Sequence, residues 1–336
     1  MRRGRDATDP VGIRMSEPLV GLGMPVYNGA RYVAAAIHSI LGQSLGDLEL
    51  VICDNASTDG TEEICRGLAA QDPRVRYLRN PVNLGAHPNF NLAFRNARGR
   101  YFKWAPHDDE LRPDYLRECV AALEGNPDAA LCQTDIEYIG EAGETIGTFD
   151  GQIPGSDSQD AAIRFAALTL RPHDCYDVMG VFRRKALEES RLLESFHGAD
   201  RALLAQIATY GRTLHVHRPL LRVRDHAGRY TRAMTRPGDR ARWHDSRLAG
   251  KRSFPTWRLY GRLWQSALHM RGARSQRTLA SVGLLRWWFV NWNAIRMGLD
   301  VVANVAPGSI AAAERIKQRY VAPQPGVGEV RRSGEQ

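Results

Sequence analysis

The feature that most constrains this chain is the alternation of short apolar runs with helical patterns through its N-terminal half. Leu19–Val26, Leu48–Cys53, Val75–Leu78, Tyr101–Ala105 and Ala129–Ile139 read as strands. Between them Ala30–Leu41, Thr61–Ala70, Asn89–Ala97 and Pro113–Leu123 carry helical spacing, the last with proline in its first turn. Parallel strands need long crossovers, and an intervening helix supplies one. The expected fold class is therefore α/β: a mostly parallel sheet with helices on both faces, binding ligands beyond the carboxyl ends of its strands.

The second half differs. Asp150–Ser158 is turn-rich and reads as a mobile loop. Asp200–Tyr210 is a helix pattern stopped by Gly211, and Thr213–Val223 reads as a strand. After about Gly238 the pattern is helical and basic, with six of the seven tryptophans between Trp243 and Trp292. Leu285, Trp288, Phe289, Trp292, Ile295 and Leu299 recur near helical spacing, which gives one apolar face. Packing of that face on the domain is favoured over a second subunit or a membrane. The expected organisation is a disordered extension over 1–17, an α/β domain over 18–237, a helical extension over 238–320 and a disordered tail over 321–336.

Charge is unevenly placed. Of the net +9, residues Gly211–Gln336 hold 24 Lys+Arg against 7 Asp+Glu, a net of +17 that leaves about −8 for the remainder. The acidic part suits a metal or polar substrate; the basic part is either a solvated face or a contact for a polyanion. The five cysteines are odd in number and none lies in a CxxC spacing, which reads as reduced thiols in a cytosolic protein and argues against a zinc site. Met1–Glu17 lacks the apolar core of a secretory signal, and Met15 is an alternative start. The most apolar stretch, Leu284–Val302, is interrupted by Arg286, Arg296 and Asp300, so no bilayer span is expected. The expected location is cytoplasmic, with a peripheral position on the inner face of the cell membrane left open.

Polar residues collect at the strand ends. The first strand runs into Pro25-Val26-Tyr27-Asn28-Gly29, the second into Asp54-Asn55-Ala56-Ser57-Thr58-Asp59-Gly60-Thr61, and the fourth into Pro106-His107-Asp108-Asp109-Glu110. In a parallel sheet these ends share one edge, which gathers Asp54, Asp108 and Asp109 around one cleft. Clustered carboxylates repel unless a cation lies between them. Mg²⁺ or Mn²⁺ fits carboxylate oxygen, and Mg²⁺ in particular completes its shell with substrate phosphates. Alone, an Asp-Asp pair is more often a turn or a helix cap.

These blocks, with Asn83-Leu84-Gly85, Asn91, Gly99-Arg100-Tyr101 and Pro113, resemble in order and spacing the family 2 glycosyltransferases of GT-A (Rossmann-like) fold, over roughly Leu19 to Tyr230. The resemblance implies an enzyme that transfers a sugar from a nucleotide-diphosphate sugar to an acceptor hydroxyl, with inversion and a divalent metal, Mn²⁺ or Mg²⁺. Uridine is the expected base, with GDP and dTDP open. The acceptor is a glycan, a lipid-linked or a small molecule, in glycan, cell-envelope or glycoconjugate biosynthesis. It further implies that Pro25, Tyr27 and Asn28 border the nucleoside, that Asp54 accepts from the base, and that Asn83 and Gly85 belong to the nucleotide site. Asp108 would approach the ribose or metal, and Asp109 would be the main metal ligand. His226, in Arg222-Val223-Arg224-Asp225-His226, would be a further ligand, with Arg224 or Arg229 clamping phosphate. Asp200 stands where the family has its general base, although Ala199-Asp200 replaces the usual Glu-Asp. The Gln-x-x-Arg-Trp block of processive synthases is missing, which points to single sugar additions. No nucleic acid partner is expected, an anionic membrane surface is left open as a contact of the basic region, and oligomerisation is open.

Three rival readings are weaker. Gly21-Leu22-Gly23 is a partial dinucleotide fingerprint but lies inside a strand. A sugar-nucleotide pyrophosphorylase would need a Gly-rich basic loop after the first strand, where Pro25–Gly29 stands. A polyanion-binding module would rest on the basic tail alone, which carries no known nucleic-acid motif.

Overall fold

The structure is a computed structural model, and it describes residues 17–228, 237–248 and 251–306. The expected extension before Glu17, Arg229 and the tail over 321–336 lie outside the described residues.

The described residues build one nine-stranded sheet. Its strands are β1 (Val20–Val26), β2 (Leu48–Asp54), β3 (Val75–Arg79), β4 (Tyr101–Trp104), β5 (Glu110–Leu111), β6 (Ala129–Ile139), β7 (Thr145–Phe149), β8 (Val181–Arg183) and β9 (Arg212–Arg224). The order is β3-β2-β1-β4-β8-β6-β9-β5, and β7 lies off this path, paired with the Ile136–Ile139 end of β6. β1 pairs in parallel with β2 and β4, β2 with β3, and β6 with β9. β5, β7 and β8 run against these. The expected parallel sheet is thus present, and the three reversed strands are short pieces that apolar periodicity does not reveal.

Helices α1 (Val33–Leu41), α2 (Thr61–Gln71), α3 (Ala86–Asn96) and α4 (Tyr115–Glu124) are the crossovers of the N-terminal half. Further on come α5 (Ala161–Leu170), α6 (Arg184–Glu188), α7 (Ala199–Ala208), α8 (Pro237–His244), α9 (Pro255–Leu268), α10 (Arg274–Arg286) and α11 (Asn293–Val305). α1 and α4 close one face over Leu22, Met24, Leu50 and Ile52; α3 and α7 close the other over Val51, Phe102, Trp104 and Leu131. β1 and β2 are buried along their whole length, as a sheet covered on both faces requires. Gly21 and Gly23 serve this packing and not a phosphate. A Cβ on Gly21 would lie 1.8 Å from the Arg98 carbonyl oxygen, and one on Gly23 would press on Ala93 of α3.

The apolar spacing around Trp288 does not form one helix. α10 ends at Arg286, Trp287–Phe289 is a single 3-10 turn, and Asn291 and Trp292 adopt positive φ before α11 begins. The side chains that pack are also a different set. Leu263, Met270, Leu284, Trp287 and Met297 join Phe165 and Ala205 in one fully buried cluster. Each large buried side chain contributes about 1.5–3 kcal/mol, so the C-terminal helices are firmly seated on α5 and α7. Of the six expected face residues only Trp288 packs, against Trp257 and Tyr260. Leu285, Phe289, Trp292, Ile295 and Leu299 are exposed. Among the described residues no helix is long and apolar enough to cross a membrane. All five cysteines are buried and free.

Candidate active site

The parallel register of β1, β2 and β4 brings their carboxyl ends to one edge. At the end of β1, Pro25 is buried opposite Cys53, whereas Tyr27 and Asn28 emerge into solvent. Asn28 has φ of 52°, a conformation that Asn tolerates better than most residues. Its N–H donates to Ser57 Oγ (2.9 Å), and its Oδ1 accepts from the Thr58 N–H (2.8 Å). The two loops are thereby locked together, leaving the exposed Tyr27 ring as an apolar platform.

Asp54 sits deeper than the sequence suggests. It is fully buried, and its carboxylate accepts from Ser57 N–H (2.8 Å), Tyr77 OH (2.6 Å) and Arg79 Nη1 (2.8 Å). Asn83 and Gly85 build an asparagine-rich loop. Asn83 Oδ1 accepts from Asn55 Nδ2 (2.9 Å) and Gly85 N–H (2.8 Å), and Gly85, at φ 88°, lies against the backbone of Asp245 and Ser246. These residues dock the end of α8 onto the start of α3, where His244 Nδ1 and His87 Nε2 are 3.1 Å apart.

The β4–β5 turn presents Asp108 and Asp109. β5 pairs antiparallel with β9, Glu110 opposite Arg222, so the residues before β5 lie beside those that leave β9. This register delivers His226 to Asp108, with Nε2 3.0 Å from Oδ2. Asp109 goes elsewhere: its Oδ1 accepts the backbone N–H of Arg224 (3.0 Å). The sequence reading puts Asp109 first among metal ligands; the structure pairs His226 with its neighbour. Burial alone would raise the Asp108 carboxyl, but the hydrogen bond from His226 and the nearby His107 outweigh it and hold the group at about 2. One carboxylate oxygen and one imidazole nitrogen at a strand end fit a divalent cation, Mn²⁺ more readily than Mg²⁺ because of the nitrogen.

Arg224 stands behind the aspartates. Its side chain is only 3% exposed. Its guanidinium donates to the carbonyls of Asp108 (3.0 Å), Gly140 (2.9 Å) and Glu141 (3.2 Å), pairs with Glu110, and lies 4.7 Å over the Tyr32 ring. The guanidinium expected to clamp a phosphate is thus engaged with protein partners. The Tyr32 ring also lies 5.1 Å from that of His226, a contact invisible in the sequence.

Asp200 occupies the first turn of α7, where a negative charge suits the helix dipole, and its Oδ1 accepts the Arg201 N–H (2.7 Å). Its charge is felt at His173 and Cys175. Both line a cleft of about 330 Å³ bounded also by Phe149, Gly151–Pro154 and Tyr176–Asp177. Burial lowers His173 to about 4, which leaves the imidazole neutral, with Nε2 3.0 Å from the Leu168 carbonyl and Nδ1 accepting from Cys175 N–H. Arg201 ties α7 to this wall through the His173 carbonyl (2.8 Å).

Two residues of this region went unnoticed in the sequence. Asp177 is buried in the short 3-10 turn Tyr176–Met179, and burial raises its carboxyl to about 7. Beneath it the fully buried Lys103, lowered to about 8 by burial, donates to the Met179 carbonyl. Tyr115 OH donates to Gln133 Oε1 (2.8 Å), and Gln133 Nε2 to the Tyr176 carbonyl (2.8 Å). A lone Asp inside the apolar run Cys175–Phe182 and a Lys inside a strand were the available signals.

Comparison with known proteins bears on this arrangement. The model of glycosyl transferase family 2 matches residues 22–191, half of the chain. The chain belongs to glycosyl transferase family 2. It is 35% identical over 129 residues to the chondroitin synthase of Escherichia coli, covering 38% of this chain and 19% of that one. To the putative teichuronic acid biosynthesis glycosyltransferase TuaG of Bacillus subtilis it is 35% identical over 143 residues, 40% of this chain and 56% of that one. The chain thus spans between about a fifth and about half of the length of these two relatives. S. aureus TarS 1–349, solved with UDP-GlcNAc, superposes with a TM-score of 0.59 at 16% identity, over 81% of this chain and 72% of that one. That likeness is one of fold, and the GT-A fold is the one shared.

The raised Asp177 gives this glycosyltransferase a pH signature. A carboxyl whose folded value exceeds its unfolded one favours folding fully below the unfolded value, near 4, and that contribution is lost as pH rises through about 7. Asp177→Asn should therefore be more stable than the parent at pH 8, by up to roughly 4 kcal/mol, with the gap closing toward pH 4. Urea melts across that range check it; parallel curves for the two proteins would contradict it.

Proposed function

We propose that this family 2 enzyme transfers a sugar from a nucleotide-diphosphate donor, with uridine as its base, to an acceptor hydroxyl with inversion. The observation that carries the reading is the meeting of Asp108 and His226 at the sheet edge that also presents Tyr27 and Asn28. Tyr27 offers its exposed ring to the base, and the Asn28–Thr58 lock fixes the loop around it. Asp108 and His226 would hold Mn²⁺ or Mg²⁺, which when bound neutralises the diphosphate and the charge developing on the leaving group. TarS, named with UDP and UDP-GlcNAc in its solved forms, supports a uridine donor.

Asp200 takes the acceptor proton. As the hydroxyl oxygen bonds to the anomeric carbon, the bond from that carbon to the diphosphate oxygen breaks on the opposite side, and the nucleoside diphosphate departs. The cleft beside Asp200 accommodates the acceptor or the transferred sugar. Its neutral His173 and its Asp177, half-protonated near neutral pH, supply donors and acceptors for sugar hydroxyls. Asp200→Asn should retain nucleotide-dependent thermal stabilisation and lose about 10²–10⁴-fold in transfer rate. A fully active variant would exclude Asp200 as the base.

The C-terminal helices suggest where the acceptor is met. Residues 251–306 hold nine Lys and Arg against Asp300 alone. The exposed Leu285, Phe289, Trp292, Ile295 and Leu299 give α10, α11 and the segment between them an apolar surface beside that charge. This pairing suits the interface of an anionic bilayer bearing a lipid-linked acceptor. The protein should co-sediment with phosphatidylserine-containing vesicles and less so at high salt, and Phe289→Ser with Trp292→Ser should release it. Equal recovery in the supernatant with and without vesicles would remove the membrane from the account.

A further inference from the structure

A second group of ligating side chains lies away from the nucleotide edge, where β6, β9 and the end of β7 converge. His215 and His217 alternate along β9 and so share a face of the sheet, with ring centroids 5.0 Å apart. The β6–β9 register is irregular between Thr134 and Asp135, where His217 and Arg218 are skipped in the pairing. Such a bulge re-aims side chains. Here it accompanies the approach of Asp135 to His215, Oδ1 lying 2.6 Å from Nε2. Asp150, the residue after β7, places a carboxylate oxygen 3.7 Å from the same nitrogen.

One ligand atom from each of Asp135, Asp150, His215 and His217 lies within 4.8 Å of every other. The His215 side chain is 3% exposed, whereas Asp150, at 68%, and His217 form the solvent side of the group. Two carboxylates thus converge on a buried imidazole, an excess of negative charge that a dication would neutralise. Two imidazole nitrogens with two carboxylate oxygens suit a borderline ion such as Zn²⁺ or Co²⁺, whereas Mg²⁺ prefers oxygen alone. Tetrahedral Zn²⁺ needs ligand atoms roughly 3.3–3.5 Å apart, given bonds of about 2.0–2.2 Å. The observed 2.6 and 3.7 Å bracket that spacing.

We propose that Asp135, Asp150, His215 and His217 form a second metal site that takes Zn²⁺ without nucleotide. The expectation against zinc rested on cysteine spacing, which does not report on a histidine–aspartate site. The ion would tie β6 and β9 to the segment that follows Asp150. A Cβ on Gly151 would lie 3.6 Å from His215 Cε1, and Gly151–Pro154 form one wall of the cleft beside Asp200. Metal at this site would therefore order the cleft wall, a role separate from that of the Asp108–His226 pair.

The test titrates metal-free, untagged protein with Zn²⁺ by calorimetry, and with Co²⁺ by visible absorption, in the absence of nucleotide. One equivalent should bind, with a rise in melting temperature that Mg²⁺ does not reproduce. His217→Ala and Asp150→Asn, both at exposed positions that the fold tolerates, should each weaken binding at least about tenfold. Asp108→Asn should bind Zn²⁺ as the parent does. Absence of binding, or unchanged affinity in both ligand variants, would overturn the proposal.

Discussion

The site depends on one buried guanidinium. Arg224 leaves the end of β9 and ties three segments together: the β4–β5 turn through the Asp108 carbonyl and Glu110, the turn after β6 through Gly140 and Glu141, and the start of α1 through the face of Tyr32. Its own backbone N–H holds Asp109. Enclosure of a charge is tolerated only when its donors are matched, and here carbonyls and a carboxylate match them. Because Arg224 is fixed, the chain emerges from β9 in one direction, and two residues later His226 meets Asp108. The meeting of Asp108 and His226 is a consequence of this clamp.

The strand-end edge and the cleft near Asp200 differ in how they are built. The edge at the ends of β1 and β2 is cross-linked to neighbouring loops by the side chains of Asn28, Asp54, Asn55 and Ser57. The cleft beside Asp200 is walled by turns, one above the Lys103–Tyr115–Gln133 network and one leading from Asp150. Loop walls vary more readily than strand ends, so the cleft is the part of such a fold that sequence change reshapes most easily.

Much of this was legible in the sequence for a physical reason. Strands covered on both faces are mostly apolar, so β1, β2, β4 and β6 stand out, and the polar exits of β1, β2 and β4 mark one edge. The strand-end residues Tyr27, Asn28 and Asp108 lie at that edge. What could not be read is set by pairing between distant segments. β5 is two residues long and carries no periodicity, yet its register with β9 decides whether His226 faces Asp108 or Asp109. Burial hid the rest: Asp54 and Arg224 look like available groups until their partners are known. The apolar spacing around Trp288 likewise crosses a backbone break at Asn291–Trp292 that no period can show.

The central claim, that Asp108 and His226 make the diphosphate site metal-dependent, is tested most directly by thermal shift. UDP is added with and without Mn²⁺ to the parent, Asp108→Asn and Asp109→Asn. The account predicts that stabilisation of the parent requires UDP and Mn²⁺ together, is abolished in Asp108→Asn and is largely kept in Asp109→Asn. Equal stabilisation of Asp108→Asn and the parent, or loss confined to Asp109→Asn, would contradict it.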